Sequence, residues 1–516
     1  GYVNCWYLER EPQNRWTNLR DNHELYNLGH LLEGAVAYLR ATGSDRLMQV
    51  MERAFAHVAT VFGPGPGQKR GYCGHPEVEL ALIKAWHATG QRKYLDLASY
   101  FVDERGQQPH YFDIERDARG EPSGKFGQGT YEYSQSHLPV RQQTKVVGHA
   151  VRAMYLYTAM ADLAAEHGDG TLKTTCETLW KDVTSTRMYV TGGFGPSASN
   201  EGFTQDYDLP NDTAYAETCA SAAMIFWAAR MLNLDLDGQY ADLLELALYN
   251  NALAGLSREG DTYFYDNKLE SDGSHRRWDW HPCPCCTMNV ARLVASVGGY
   301  VFGLGDNEVA IHLYGGAETE LSLAGGRVRI AESSAYPWDG AIRVEVTPDT
   351  ARSFTLSLRI PAWCRNAKLR VAGAEVPVTP ERGYLRIART WSPGDVVELD
   401  LPMPADRLWA NPEVKADVGR VAVRRGPLVY CFEGQDQSAP LHRLRLPGPS
   451  ALLDEFRPDL LGGISILCAE GLAITDPDAA LYRTHPPAES PSPLMAVPYY
   501  IWCNRGPNPM HVWIRD

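Results

Sequence analysis

Apolar positions recur every three or four residues through the first three hundred residues of the chain, and every second residue in short runs after that. Residues 23–41 place Leu25, Leu28, Leu31, Leu32, Ala35, Val36 and Leu39 on one face, which predicts an amphipathic helix. The same period predicts helices over 46–61, 76–89, 92–104, 142–166, 172–188, a run ending near Leu232, 239–256 and 289–302, nine in all. Linkers such as Thr42-Gly43-Ser44-Asp45, Thr89-Gly90-Gln91 and Gly192-Gly193-Phe194-Gly195-Pro196 carry helix-stop and turn chemistry. Helices paired by such turns predict a toroid of helical hairpins, and its commonest closed form, the (α/α)6 barrel, has twelve. Nine falls three short, so further helices are expected before Gly1.

Beyond residue 302, alternating runs at 309–314, 327–330, 342–346, 354–360, 369–371, 384–387 and 396–401 are separated by Gly, Asp, Asn and Pro turns. More follow at 421–423 and 428–430, then a Pro-rich segment at 485–493 that reads as a loop, then strands at 496–502 and 510–514. The expected organisation is mainly α then β: a barrel domain over 1–305, a β-sandwich over 306–402 and a second β-sandwich over 403–516.

Composition narrows the partners. A net charge of −14 without a long Lys/Arg run argues against nucleic acid, and no apolar run is long enough to suggest a membrane span. The eleven cysteines are odd in number and clustered only at 283–286, unlike a secreted disulfide framework, so a reducing, cytoplasmic location is expected. The chain begins abruptly at Gly1-Tyr2-Val3-Asn4, so the missing leader carries little weight.

Candidate chemistry centres on His281-Pro282-Cys283-Pro284-Cys285-Cys286-Thr287-Met288-Asn289, three cysteines just ahead of a helical run. Thiolates with one carboxylate suit zinc, and Glu217 and Cys219 are the candidates to complete the set. Two residues apart on a helix they would diverge, so the helix should begin near Thr218 with Glu217 in its lead-in. The cysteines of 283–286 should lie in the loop before Asn289. Three buried structural cysteines are the alternative, and a redox pair a weaker one, because the usual redox spacing with two intervening residues is absent. Glu201, after the glycine-rich loop, reads as an acid held on a loop or as a solvated carboxylate. His23, His75 and His149 open helical runs, as structural groups or as the mouth of a toroid. Trp16, Tyr131, Tyr133, Tyr207, Tyr215 and Tyr265 lie in linkers or at helix ends, where their rings suit stacking on sugars.

Several stretches together resemble glycoside hydrolase family 127, the β-L-arabinofuranosidases. They are Trp16-Thr17-Asn18-Leu19-Arg20-Asp21-Asn22-His23-Glu24-Leu25-Tyr26, Tyr131-Glu132-Tyr133-Ser134-Gln135-Ser136-His137, Val147-Gly148-His149-Ala150, Asn200-Glu201-Gly202-Phe203, Tyr215-Ala216-Glu217-Thr218-Cys219-Ala220, the Cys283–Cys286 cluster and Asn504-Arg505-Gly506-Pro507. The resemblance implies the (α/α)6 barrel with β-sandwiches and a zinc ion held by Glu217, Cys219, Cys285 and Cys286. It further implies Cys285 as nucleophile, Glu201 as general acid/base, and a sugar pocket lined by His23, His75, His149, Glu245 and Tyr265. The family usually reads Gly-Cys-Ala-Cys-Cys-Pro-Pro-Asn where this chain has Pro282-Cys283-Pro284-Cys285-Cys286-Thr287-Met288-Asn289, a change expected to bear on outer substrate preference. The expected partner is an arabinose-containing glycan or small carbohydrate, and a homodimer through the last sandwich is in keeping with this plan. Two other functions suit the same features: a carbohydrate-binding protein with a structural zinc, or an (α/α)6 sugar epimerase or uronic-acid hydrolase working with His and Glu alone.

Overall fold

The computed structural model describes residues 1–122, 130–475 and 481–516. The chain forms two compact units, residues 1–187 with 195–206, and residues 188–194 with 207–516.

The first unit is helical: α1 (Cys5–Glu9), α2 (Glu24–Thr42), α3 (Arg46–Val61), α4 (Val78–Thr89), α5 (Arg92–Glu104), α6 (Tyr111–Ala118), α7 (Ala150–His167) and α8 (Gly170–Thr186). Sequence neighbours pack in pairs, α2 with α3, α4 with α5 and α7 with α8. Glycines in the left-handed region close α2, α4 and α7, at Gly43, Gly90 and Gly168. The helix predicted over 142–166 starts later, at Ala150, because His149 is extended and caps it: its Nδ1 accepts from the backbone N–H groups of Val151 and Arg152. The short helices α1 and α6 were outside the periodic reading, which needs several turns to register.

The second unit opens with α9 (Thr218–Leu234) and α10 (Gly238–Ala247). The helix predicted over 239–256 is present, but α10 continues into a π-turn, Leu248–Ala252, rather than as a regular α-helix. Then come α11 (Cys285–Ser296) and the sheets. A four-stranded sheet (Tyr384–Trp391, Arg352–Arg359, Glu308–Ile311, Phe302–Leu304) and a six-stranded sheet from Ala317–Leu323 to Ala374–Val376 supply one common core. Alternation sets the inner faces: Ile342, Val344 and Val346 are buried in that core, with Arg343 exposed and Glu345 half-buried between them.

Among the described residues the remaining strands form one ten-stranded sheet. Its strands Arg420–Arg425 and Leu428–Glu433 are buried on both faces. Val421 and Val423 join one apolar cluster and Ala422 the other; Leu428, Tyr430 and Phe432 alternate with Val429 and Cys431 in the same way. The strand Glu270–Asp272 joins this sheet by pairing with Pro509–His511. Of the Pro-rich segment expected to be a loop, 485–488 lies outside any strand, while 489–493 belongs to the strand Glu489–Pro498, paired with Ile464–Ile474. Proline is tolerated because Pro491 and Pro493 share the alternation of Met495, whose N–H points away from that partner to Gln437. One face of the sheet packs on Ala214, Ala216, Phe264 and Leu269, and so backs the loops that carry Glu217 and Tyr265.

Candidate active site

Two clusters of chemistry-bearing side chains stand out, one in each unit. In the first unit, the glycine motifs bring Glu201 to His149. Gly202 runs so close to the chain at Gly148 that a Cβ on it would lie 1.8 Å from the Gly148 carbonyl oxygen. Phe203 N–H donates to Gly148 O and Ala150 N–H to Glu201 O, which locks the two segments together. Glu201 itself sits at φ +51, a left-handed conformation uncommon for a glutamate. Its carboxylate accepts from Tyr133 Oη at 2.7 Å and lies 3.5 Å from His149 Nε2. The ring of His75 lies between those of His23 and His149, with centroids 5.9 and 5.4 Å away.

The histidines differ in tautomer. Because His149 Nδ1 accepts backbone N–H groups, its proton is on Nε2; because His75 Nδ1 faces the Pro76 carbonyl at 3.0 Å, its Nδ1 carries the proton and Nε2 is an acceptor. Burial pushes the pKa of all three histidines down, and the Arg152 guanidinium adds to it. Two buried arginines bind this region differently. Arg105 pairs with Glu79, while Arg152 has no ion pair among the described residues; it donates to Gly74 O and Ser134 Oγ and lies 4.3 Å from the centre of the Tyr133 ring. Tyr133, expected as a stacking face, is thus the hydrogen-bond partner of Glu201. Trp16, expected likewise, is buried edge-on against Phe62.

In the second unit the N-termini of α9 and α11 bring four donors together. Glu217 is the N-cap of α9, at φ −54 and ψ 135, in the lead-in as the spacing required. Cys285 and Cys286, expected in the loop before the helix, are instead the first two residues of α11. They still converge because they occupy the open first turn, where neighbouring side chains reach past the helix end to one point. Cys219 Sγ is 3.3 Å from Cys286 Sγ, Cys285 Sγ is 3.5 Å from Glu217 Oε1 and 3.9 Å from Cys286 Sγ, and Cys286 Sγ is 3.8 Å from Glu217 Oε1. Ligands of a tetrahedral zinc would lie about 3.5–3.8 Å apart at ordinary zinc–sulfur and zinc–oxygen lengths. Spacing and donor chemistry both fit that ion.

Electrostatics point the same way. Burial raises the thiol pKa of Cys219 and Cys286, and hydrogen bonding from the neighbouring thiols, Cys219 first, raises that of Cys285. Three thiols and a carboxylate held this close are ionised together only with a cation among them. Cys219 and Cys286 are buried, and Cys285 is half-buried. Tyr265 Oη stands 3.5 Å from Cys285 Sγ, and the His281 ring packs on Tyr265 at 4.4 Å. Cys283 is exposed.

Glu245 belongs elsewhere. It is 1 % exposed, and its carboxylate is occupied by Arg359, Tyr336 and the Trp363 indole at the end of α10. Buried under a guanidinium and two further donors, Glu245 reads here as the partner in a structural ion pair, where the resemblance implied a sugar contact. Sequence reasoning missed Asn251 and Asn267, both fully buried, whose amides brace the lead-in to Glu217. The signal available was the pair Asn250-Asn251, two amides inside an apolar helical run.

A buried cluster of thiols and a carboxylate able to hold a metal lies in a chain whose helical region is followed by sheets, and the whole chain matches known carbohydrate-active enzymes. The GH127 catalytic domain of beta-L-arabinofuranosidase matches residues 1–299, the GH127 middle domain 308–403 and the glycoside hydrolase family 127 C-terminal domain 405–515. A non-reducing end beta-L-arabinofuranosidase of Bifidobacterium longum subsp. longum is 38% identical over 97% of this chain and 80% of its own. The crystal structure of a GH127 beta-L-arabinofuranosidase from Geobacillus stearothermophilus T6 superposes with a TM-score of 0.98 at 47% identity, covering 100% of this chain and 83% of that one. A second GH127 beta-arabinofuranosidase gives 0.90 at 35% identity over 99% and 79%. The chain belongs to glycoside hydrolase family 127 and is a glycoside hydrolase.

Proposed function

We propose that this enzyme removes terminal non-reducing β-L-arabinofuranosyl groups from arabinose-containing glycans with retention of configuration. Glu217, Cys219, Cys285 and Cys286 would hold zinc, in an (α/α)6 barrel followed by two β-sandwiches. The observation that carries the reading is the asymmetry within the donor set: Cys285 is the one thiol of the three that is not fully buried. When bound, zinc supplies the positive charge that keeps Cys285 a thiolate at neutral pH.

Cys285 Sγ attacks the anomeric carbon as the glycosidic C–O bond breaks, and Glu201 gives its proton to the departing oxygen. The product of this step is a thioglycoside on Cys285 and a free alcohol. Glu201, now a carboxylate, takes a proton from water as the water oxygen attacks the same carbon, and Cys285 leaves as thiolate. Tyr133 Oη steadies the carboxylate in its base form. His149, presenting a donor, and His75, presenting an acceptor, are equipped to bind sugar hydroxyls of both senses. Tyr265 Oη, 3.5 Å from Cys285 Sγ, would contact the sugar joined to that thiol.

Cys285→Ser and Glu201→Gln should each lower kcat on an aryl β-L-arabinofuranoside by about 10²–10⁴-fold. Wild-type turnover by Cys285→Ser rejects the nucleophile assignment, and turnover that survives complete zinc removal rejects the metal's role.

A further inference from the structure

The Glu217 lead-in is strained and doubly braced. Ala216 is held at φ +36, where an alanine is disfavoured, and is fully buried. Its carbonyl oxygen accepts two side-chain amides, Asn251 Nδ2 at 3.1 Å and Asn267 Nδ2 at 2.9 Å. That carbonyl belongs to the peptide joining Ala216 to Glu217, so its direction fixes the direction in which Glu217 enters the cluster. Asn251 Nδ2 also donates to Ser221 Oγ at 2.9 Å, in the first turn of α9. One amide nitrogen thereby holds the chain on both sides of Glu217 and Cys219.

The π-turn delivers that amide. Its extra residue rotates the residues that follow by about 100° relative to a continuous α-helix. Asn251 N–H is bonded to Thr191 O at 3.2 Å, and the close approach of Gly193 leaves no space for a Cβ, which would lie 2.7 Å from Asn251 Oδ1. Asn250, one residue earlier, is equally buried but serves the sheet: it donates to Pro427 O at 2.9 Å and accepts from Val429 N–H at 2.8 Å.

We propose that Asn251 is a positioning residue for the metal site, holding Glu217 and the first turn of α9 in ligating position from the π-turn. The inference rests on the zinc reading above. Orienting partners of metal ligands typically contribute about 10–100-fold in metal affinity.

The test is competition for zinc with a chromophoric chelator, run on the purified wild type, Asn251→Ala, Asn251→Asp and Asn250→Ala, with thermal unfolding alongside. Asn251→Asp keeps the side-chain shape should the alanine variant fail to fold, and it sets an oxygen against the Ala216 carbonyl. Both Asn251 variants should bind zinc about 10–100-fold more weakly, with kcat reduced and KM for an aryl arabinofuranoside little changed. Asn250→Ala should lose thermal stability and keep its zinc affinity. Wild-type zinc affinity in both Asn251 variants overturns the proposal, and so does an equal loss in Asn250→Ala, which would make the effect general destabilisation. A wild type that binds no zinc in this titration overturns the metal reading itself and this inference with it.

Discussion

His23, His75 and His149 are held neutral by burial and by the Arg152 guanidinium, and this has a consequence for stability. In the unfolded chain a histidine titrates near 6.5, and in the folded protein these three titrate lower. Between the two values the unfolded state binds more protons, so stability falls as pH falls below about 6.5. Each histidine contributes a slope of up to about 1.4 kcal/mol per pH unit in that window. Urea midpoints measured from pH 7.5 to 5 should decline on acidification, and His75→Gln should flatten the decline; a wild-type profile level across that range contradicts the neutral-histidine account. The identities of these histidines, of Glu201 and of the four residues that cluster as candidate metal donors were legible in the sequence because the motifs are compact. Their tautomers were not, because a tautomer depends on which backbone group the ring meets.

At the scale of elements, the local pattern gave helix and strand positions well where one face is apolar, as in Arg46–Val61 and Arg92–Glu104. It failed where tertiary contacts override period. Alpha-helix α7 is buried from Ala150 to Ala164, so no polar stripe marks its start, and the π-turn after α10 has no signature of its own in a hydrophobic run. The Cys285-Cys286 pair was misplaced for a related reason, since Pro284 ends the lead-in one residue before the helix and the capping side chain that usually announces a start is absent. The Gly148/Gly202 contact is an element-scale device that aims Glu201. Gly202→Ala would drive its methyl into the Gly148 carbonyl and must move the Glu201 turn. It should reduce kcat at least about tenfold and cost about 1–3 kcal/mol in stability; an alanine variant with wild-type kcat and unfolding midpoint would show that Glu201 is not aimed by this contact.

Across the whole molecule, the second unit ties site-bearing loops to the sheets that follow them in sequence. The buried pair of Glu245 with Arg359 joins α10 to the strand Arg352–Arg359 and its shared core. Removing one member of a buried, hydrogen-bonded pair leaves the other charge without compensation and typically costs about 3–5 kcal/mol. Glu245→Ala should therefore lower the unfolding midpoint strongly while leaving KM for an aryl arabinofuranoside near wild type in the fraction that is folded. A large rise in KM with unchanged stability would restore Glu245 to the sugar pocket. The same unit carries the strand Glu270–Asp272 into the ten-stranded sheet, a pairing across more than two hundred residues of sequence that no local pattern announces.

The sequence by itself determined which groups are available for chemistry and the order of helix-rich and strand-rich regions, because side-chain identity and hydrophobic period are local properties. It also determined family membership, since motifs spread along most of the chain match together. Only the tertiary structure decided how the donors meet. Two helix N-termini put Cys285 at the surface of a cluster in which Cys219 and Cys286 are buried, an extra residue in a π-turn turned Asn251 onto the Ala216 carbonyl, and a guanidinium 114 residues away in sequence neutralised the charge of Glu245. Each of these depends on distances between segments remote in sequence, and such distances are set by packing rather than by the pattern of any one segment.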